Sequence, residues 1–154
     1  MSKVVVNLKG LEKQVKNLVS LPMEAIGIRA LELNKDQIGK KQNKDGSRFK
    51  PYTSSYSNRK GVGQNDVDLT SKASAIPKSN NKPYATMVKA FNIISVQNTK
   101  IILGFNTVWD RQKASYNVTG GKNKQKARPF VGLMAKNRRK LLKFAYKLIS
   151  KGTY

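Results

Sequence analysis

Asp66 and Asp68 are the closest pair of carboxylates in the chain and its first candidate for chemistry. In an extended strand the two side chains would share a face and could together hold a divalent cation. Two carboxylates with no further acidic ligand nearby make a poor oxygen cage, however. The pair also lies in a segment rich in Gly and Asn. The sequence therefore favours a solvated loop over a metal site.

Other residue types that commonly take part in catalysis are also scarce. The chain has no His and no Cys, which removes the usual base near neutral pH, imidazole and thiolate metal ligands, and disulfides. Gly61-Val62-Gly63, just after Arg59-Lys60, lacks the phosphate-loop pattern and follows no predicted strand. We predict a non-enzymatic protein with no cofactor and no metal site.

The charge balance points to an anionic partner. Thirty-one Lys and Arg face eight Asp and Glu, so the net charge is +23. Such a charge repels itself, and nucleic acid, an acidic protein surface or an anionic membrane would compensate it. The last acidic residue is Asp110, and all thirteen charged residues from Arg111 to Tyr154 are basic. No apolar stretch approaches twenty residues, so we expect no membrane span and no membrane partner. The apolar run at the N-terminus is too short for a signal peptide, so we expect a cytoplasmic protein, or one made in a cytoplasm and used elsewhere as part of a particle.

The N-terminal third predicts a short strand followed by helices. The β-branched run Val4–Val6 favours a strand. Apolar residues then recur at helical spacing from Leu8 to Val19, and Pro22 interrupts them. A second helix is predicted from about Pro22 to Lys41, with one kinked helix as the alternative. Its buried stripe would contain Met23, Ile26, Ala30, Leu33 and Ile38.

The segment 42–83 is predicted to be a long extended loop or arm of a single domain that spans residues 1–154. It is dense in Lys, Asn, Ser and Gly, and Asp45-Gly46 marks a tight turn in it. Aromatic residues at close spacing suggest that the arm is anchored. The alternative is that they cover the edge of the domain's own core. They are Phe49, Tyr52 and Tyr56, with Pro51 between the first two.

The C-terminal half predicts a β-hairpin and an amphipathic helix. Two β-rich runs between Tyr84 and Phe105 flank a turn at Asn98. An apolar stripe from Leu133 to Ile149 then follows helical spacing. The predicted fold class is α+β, with N-terminal helices, a long polar arm, an antiparallel hairpin or small sheet, and a C-terminal amphipathic helix.

One face of that last helix is basic. Four lysines share it, and Arg139 lies beside them. This face could track phosphates, but it contains no interleaved aromatics, so the pattern indicates an anion and no particular base. A solvated face that keeps the chain soluble is the alternative. The predicted anion-facing or DNA-facing residues are Lys136, Arg139, Lys140, Lys143 and Lys147.

Several segments, taken in order over residues 8–150, resemble the tail-completion or virion-morphogenesis proteins of tailed bacteriophages, the Mu-like group and related neck proteins. An Asp-Gly turn followed by an aromatic and a proline corresponds to the run from Asp45 to Tyr52. The strand Ile101–Gly104 fits a V-x-V-G-like element, and Arg128-Pro129-Phe130-Val131-Gly132 fits an R-x-F-x-G element before the final helix. Leu69-Thr70 and Tyr116–Gly120 are looser matches, the latter without the family's His.

The resemblance implies a non-catalytic virion protein at the head–tail junction or tail terminus. Such proteins assemble as rings with neighbouring neck and tail subunits, in this case with DNA in the channel as a further possible partner. Localisation would be the virion, after assembly in the host cytoplasm. The alternative function is non-specific nucleic-acid binding. The resemblance implies subunit-contact or structural roles for Asp45, Gly46, Phe49, Pro51, Tyr52, Arg128, Phe130 and Gly132. Phe130 could instead pack within its own chain, near Met134.

Overall fold

A computed structural model of the protein describes residues 4–7, 22–60, 63–64, 91–120 and 127–151. The described chain is a mixed α+β fold, which confirms the predicted class. The predicted helix over 8–19, its kinked alternative and half of the arm lie outside these residues. In chain order the elements are β1 (Val4–Asn7), α1 (Met23–Gly39), α2 (Ser54–Lys60), β2 (Phe91–Gln97), β3 (Lys100–Phe105), α3 (Val108–Thr119) and α4 (Ala135–Lys151).

The three strands form one antiparallel sheet in the order β1-β3-β2. The predicted hairpin is confirmed, since β2 and β3 pair from Phe91 opposite Phe105 to Gln97 opposite Lys100, around a turn at Asn98-Thr99. The predicted strand at Val4–Val6 is β1, which pairs with β3. Every second side chain of β3, at Ile101, Leu103 and Phe105, is buried, as the period of a strand with one core face requires.

Helix α1 covers the core side of the sheet and also packs against α4. All five residues of its predicted stripe are buried, and they join the apolar core. Gly27 permits a close approach to the sheet. A Cβ atom at this position would lie only 3.2 Å from Cδ1 of Ile93 and 3.3 Å from Cγ2 of Ile101.

Helices α2 and α3 were not predicted from the sequence. No apolar stripe marks the buried side of α3, because its buried residues are Ala114 and the polar Asp110 and Asn117. Its ends are nevertheless well defined. The Thr107 hydroxyl accepts a hydrogen bond from the backbone N–H of Asp110, 3.1 Å away, and Gly120 ends the helix with a φ of +92°.

The described part of the 42–83 segment is partly helical and partly packed on the core. Helix α2 lies within it. Phe49 and Tyr52 are buried, and Phe49 belongs to the main apolar cluster. The aromatics of this stretch therefore cover the chain's own core, which was the alternative to an anchored arm. No helix in the described parts of the chain is long and apolar enough to cross a membrane.

Candidate functional site

The Asp45-Gly46 turn is a tight loop stabilised by its own side chains. The Asp45 carboxylate accepts hydrogen bonds from the backbone N–H and the hydroxyl of Ser47, at 2.8 and 2.7 Å. These bonds hold the pKa of Asp45 below its ordinary value. Gly46 has a φ of +90°, a conformation that favours glycine. The turn closes where Asn43 N–H donates to the Ser47 carbonyl at 2.8 Å.

This turn docks on the segment that precedes α4. The Lys44 N–H donates to the carbonyl of Pro129 at 2.8 Å. Gly132 has a φ of +126°, and a Cβ atom there would lie 3.4 Å from Cβ of Lys44. The two most specific stretches of the phage resemblance, far apart in sequence, therefore meet in space. We call residues 43–52 together with 128–134 the motif junction.

Arg128 lies at the centre of the motif junction and is fully buried. Its Nε donates to the carbonyl of Lys50 at 2.9 Å, and its guanidinium carbon lies 3.5 Å from the centroid of the Tyr52 ring. The Arg128 N–H donates to the carbonyl of Asn117 at 2.7 Å, and the Tyr52 hydroxyl donates to Oδ1 of the same Asn117 at 3.2 Å. Burial lowers the pKa of Arg128, and the nearby Tyr52 and Tyr56 act in the opposite direction. An arginine still remains charged in this setting.

Two amides of α1 hold the other side of the junction. Asn34 Nδ2 donates to the carbonyls of Phe130 and Gly132, at 3.2 and 3.1 Å. Gln37 Nε2 donates to the Gly132 carbonyl at 2.9 Å, and its Oε1 accepts from the Met134 N–H at 3.0 Å. The sequence analysis did not identify either amide. Their signal was present, because both are polar residues on the apolar side of α1.

The eight residues of the resemblance differ in how far they are exposed. Asp45 and Pro51 are exposed and Gly46 is half-buried, so they are accessible to another molecule. Phe49, Tyr52, Arg128 and Phe130 are buried within one copy of the chain, which favours a structural role for these four. Gly132 is half-buried, and its backbone conformation gives it a structural reason to be glycine.

The predicted basic face of α4 is a continuous exposed surface. All five cations lie outward, and Leu141 and Ala145 lie on the opposite, buried side. From Lys136 to Lys147 the face runs about 16 Å at the rise of an α-helix. Helix α4 contains no acidic residue. The face can therefore attract an anion along its whole length.

The metal candidate of the sequence and most of its phosphate-loop candidate lie outside the described residues. In those parts of the chain no group of three or more His, Cys, Asp or Glu could hold a metal ion. The structure does not describe Asp66, Asp68, Gly61 or Val62. The same is true of Lys122, Lys124 and Lys126, a further group of basic residues.

Comparison of the chain with protein-family models, with curated proteins and with solved structures gave no match.

Proposed function

We propose that the protein is a non-enzymatic structural protein of a tailed-bacteriophage virion, which assembles as a ring at the head–tail junction or tail terminus. The observation that supports this most is the motif junction. The Asp45–Tyr52 and Arg128–Gly132 stretches both belong to the resemblance, and the chain around them is joined by the Lys44–Pro129 and Arg128–Lys50 hydrogen bonds. Motifs that form one substructure are stronger support for a shared architecture than motifs that merely occur in the same order.

The junction has a mechanical role in this proposal. The α1 amides and Arg128 fix the chain immediately before α4, and this orients the helix on the body of the protein. The exposed Asp45-Gly46 turn and the basic face of α4 are thereby presented on a rigid frame. Ring subunits need such a frame, because small angular errors accumulate around a closed ring.

The direct test is the mass and shape of the purified full-length chain, measured by native mass spectrometry and negative-stain electron microscopy. We expect a closed ring of one defined stoichiometry. We also expect the chain in purified virions of the phage that encodes it. A chain that stays monomeric at all concentrations and is absent from virions would overturn the proposal.

A second candidate function is non-specific binding of nucleic acid, which is favoured by the exposed basic face of α4. Binding to duplex DNA should then weaken with salt, with a log–log slope of about −0.9 for each phosphate neutralised. Replacing Lys140 and Lys143 by Gln should reduce that slope by about 1.8. The matched control replaces Lys50 and Lys100, which are equally exposed but lie elsewhere. Equal slope changes in both variants, or no binding at low salt, would reject this function.

A further inference from the structure

The outward side of α3 is an exposed apolar surface that neither the junction nor the basic face uses. Val108 and Trp109 are 65% and 64% exposed, and Tyr116 is 47% exposed. At 100° per residue these three side chains lie on one side of the helix, with Gln112 between them. We call Val108, Trp109, Gln112 and Tyr116 the α3 strip. It contains the chain's only tryptophan.

The α3 strip carries no charge of its own, and its surroundings are positive. The one carboxylate of the helix, Asp110, is only 1% exposed, and its Oδ2 accepts a hydrogen bond from the Thr107 hydroxyl at 2.8 Å. Arg111 and Lys113 lie at the two margins of the strip and are half-buried. All charged residues that follow in the sequence are basic. An uncharged centre with a cationic margin is thus what a partner would meet.

The composition of the α3 strip is that of an interface centre. Trp and Tyr are enriched there and charged residues are depleted. The Tyr116 ring is also held in place, because Gln112 Nε2 donates to its hydroxyl at 2.9 Å. A side chain that is already fixed loses less conformational entropy when a partner binds.

We propose that the α3 strip docks an acidic amphipathic helix of a different protein. Trp109 and Tyr116 are seven residues apart, about 10 Å along the axis, which matches apolar residues two turns apart on an opposing helix. Carboxylates flanking the partner's apolar stripe would face Arg111 and Lys113. This inference goes beyond the proposed assembly role, since it depends on α3 alone and names the chemistry of the partner.

Charge and spacing decide against two other occupants. A second copy docked strip to strip would bring its own Arg111 and Lys113 against those of the first, and like charges across an interface are unfavourable. A single nucleic-acid strand would use successive rings as a stacking platform with cations between them. Here Gln112 lies between the Trp109 and Tyr116 rings. It is uncharged and donates a hydrogen bond to the Tyr116 hydroxyl.

The experiment uses Trp109 of the full-length chain as its own fluorescent reporter. The probe is a synthetic helical peptide of glutamates with leucines on one face. Polyglutamate of the same length serves as the charge control, and oligothymidylate as the nucleic-acid control. At physiological salt we expect a saturable blue shift of the emission with the Glu–Leu peptide alone. Any of four results would overturn the proposal: no shift with the Glu–Leu peptide, an equal shift with polyglutamate, quenching by oligothymidylate, or a shift when the chain alone is concentrated.

Two variants locate the binding on α3. Val108→Glu and Tyr116→Ser should each weaken binding of the labelled peptide about tenfold or more. This is the loss of affinity expected when the centre of an interface is altered. Ile28→Ser changes an apolar side chain of α1 that is also exposed and should leave the affinity unchanged. Equal weakening by all three variants would contradict docking on α3. These measurements require no ring, so a chain that fails to form rings but binds the peptide overturns only the proposed function.

Discussion

Arg128 is a buried cation in a chain that already has a large excess of positive charge. Burying an arginine is costly unless its donors and its charge are compensated. Here the Lys50 carbonyl accepts from Nε and the face of the Tyr52 ring lies against the guanidinium, which compensates part of that cost. The arrangement requires a guanidinium, because lysine has neither a donor at the position of Nε nor a planar group to stack on the ring.

We therefore expect Arg128→Lys to lower the free energy of unfolding by about 2 kcal/mol, from the lost hydrogen bond and ring contact. Denaturant unfolding followed by circular dichroism measures this. Arg48→Lys, at an exposed arginine of the same junction, is the control and should change stability by less than about 0.5 kcal/mol. Equal losses in the two variants would show that Arg128 is not held as described.

Gly132 offers a second test at the scale of one residue. Its φ of +126° is a conformation that other residues rarely adopt, whereas an added Cβ would meet Lys44 only at van der Waals distance, 3.4 Å. Gly132→Ala should cost about 1–3 kcal/mol of stability. Gly39→Ala is the matched control, because a Cβ there meets nothing within 4 Å and α1 ends at that residue. Thermal unfolding should show Gly39→Ala as neutral or stabilising by up to about 1 kcal/mol.

At the scale of elements, α1 and α4 are joined by side-chain amides as well as by apolar contact. Gln37 both donates to the Gly132 carbonyl and accepts from the Met134 N–H, at the start of α4. Asn137, in the first turn of α4, donates to the Leu33 carbonyl and to Oε1 of Gln37, at 3.2 and 3.3 Å. Side chains of both helices thus hold the start of α4 against α1.

Gln37→Leu should lower stability by about 3 kcal/mol, since it leaves the Met134 N–H and the Gly132 carbonyl without this partner. The loss is measured by denaturant unfolding. Amide hydrogen exchange should localise the weakening to the first turn of α4. Gln97→Leu, at an exposed glutamine of β2, is expected to be nearly neutral. Uniform loss of protection across the sheet and α4 would contradict a local role.

At the scale of the whole molecule, the dominant property is the net charge of +23. The described ion pairs are exposed ones, Arg29 with Glu32 and Lys40 with Asp36. Exposed pairs of this kind contribute little to stability. The chain therefore folds against its own electrostatic repulsion, which the burial of its apolar core outweighs.

The midpoint of thermal unfolding should rise with salt for this reason. Between about 0.01 M and 0.1 M salt the screening length falls from about 30 Å to about 10 Å, which weakens repulsion between distant lysines. Replacing Lys136, Lys140, Lys143 and Lys147 by Gln lowers the net charge by four and should flatten the dependence. A midpoint that is independent of salt in both proteins would contradict this account.

The sequence by itself determined the elements whose patterns are periodic. Helix α1, its buried stripe, the hairpin and the amphipathic α4 were all predictable, because alternation of period 2 or 3.6 reflects which side of an element faces the core. The absence of His and Cys and the uneven charge were also readable directly. Helix α3 was not predicted from the sequence, because much of its apolar surface faces outward.

Only the tertiary structure decided how the separate motifs relate. No pattern along the chain shows that the Asp45 turn reaches Pro129, or that Asn34 and Gln37 bind the segment before α4. Such contacts join residues far apart in sequence, and their geometry depends on how whole elements pack. The same holds for Arg128 and Phe130. Their types suggested an interface, and their burial within one chain is a property of the fold.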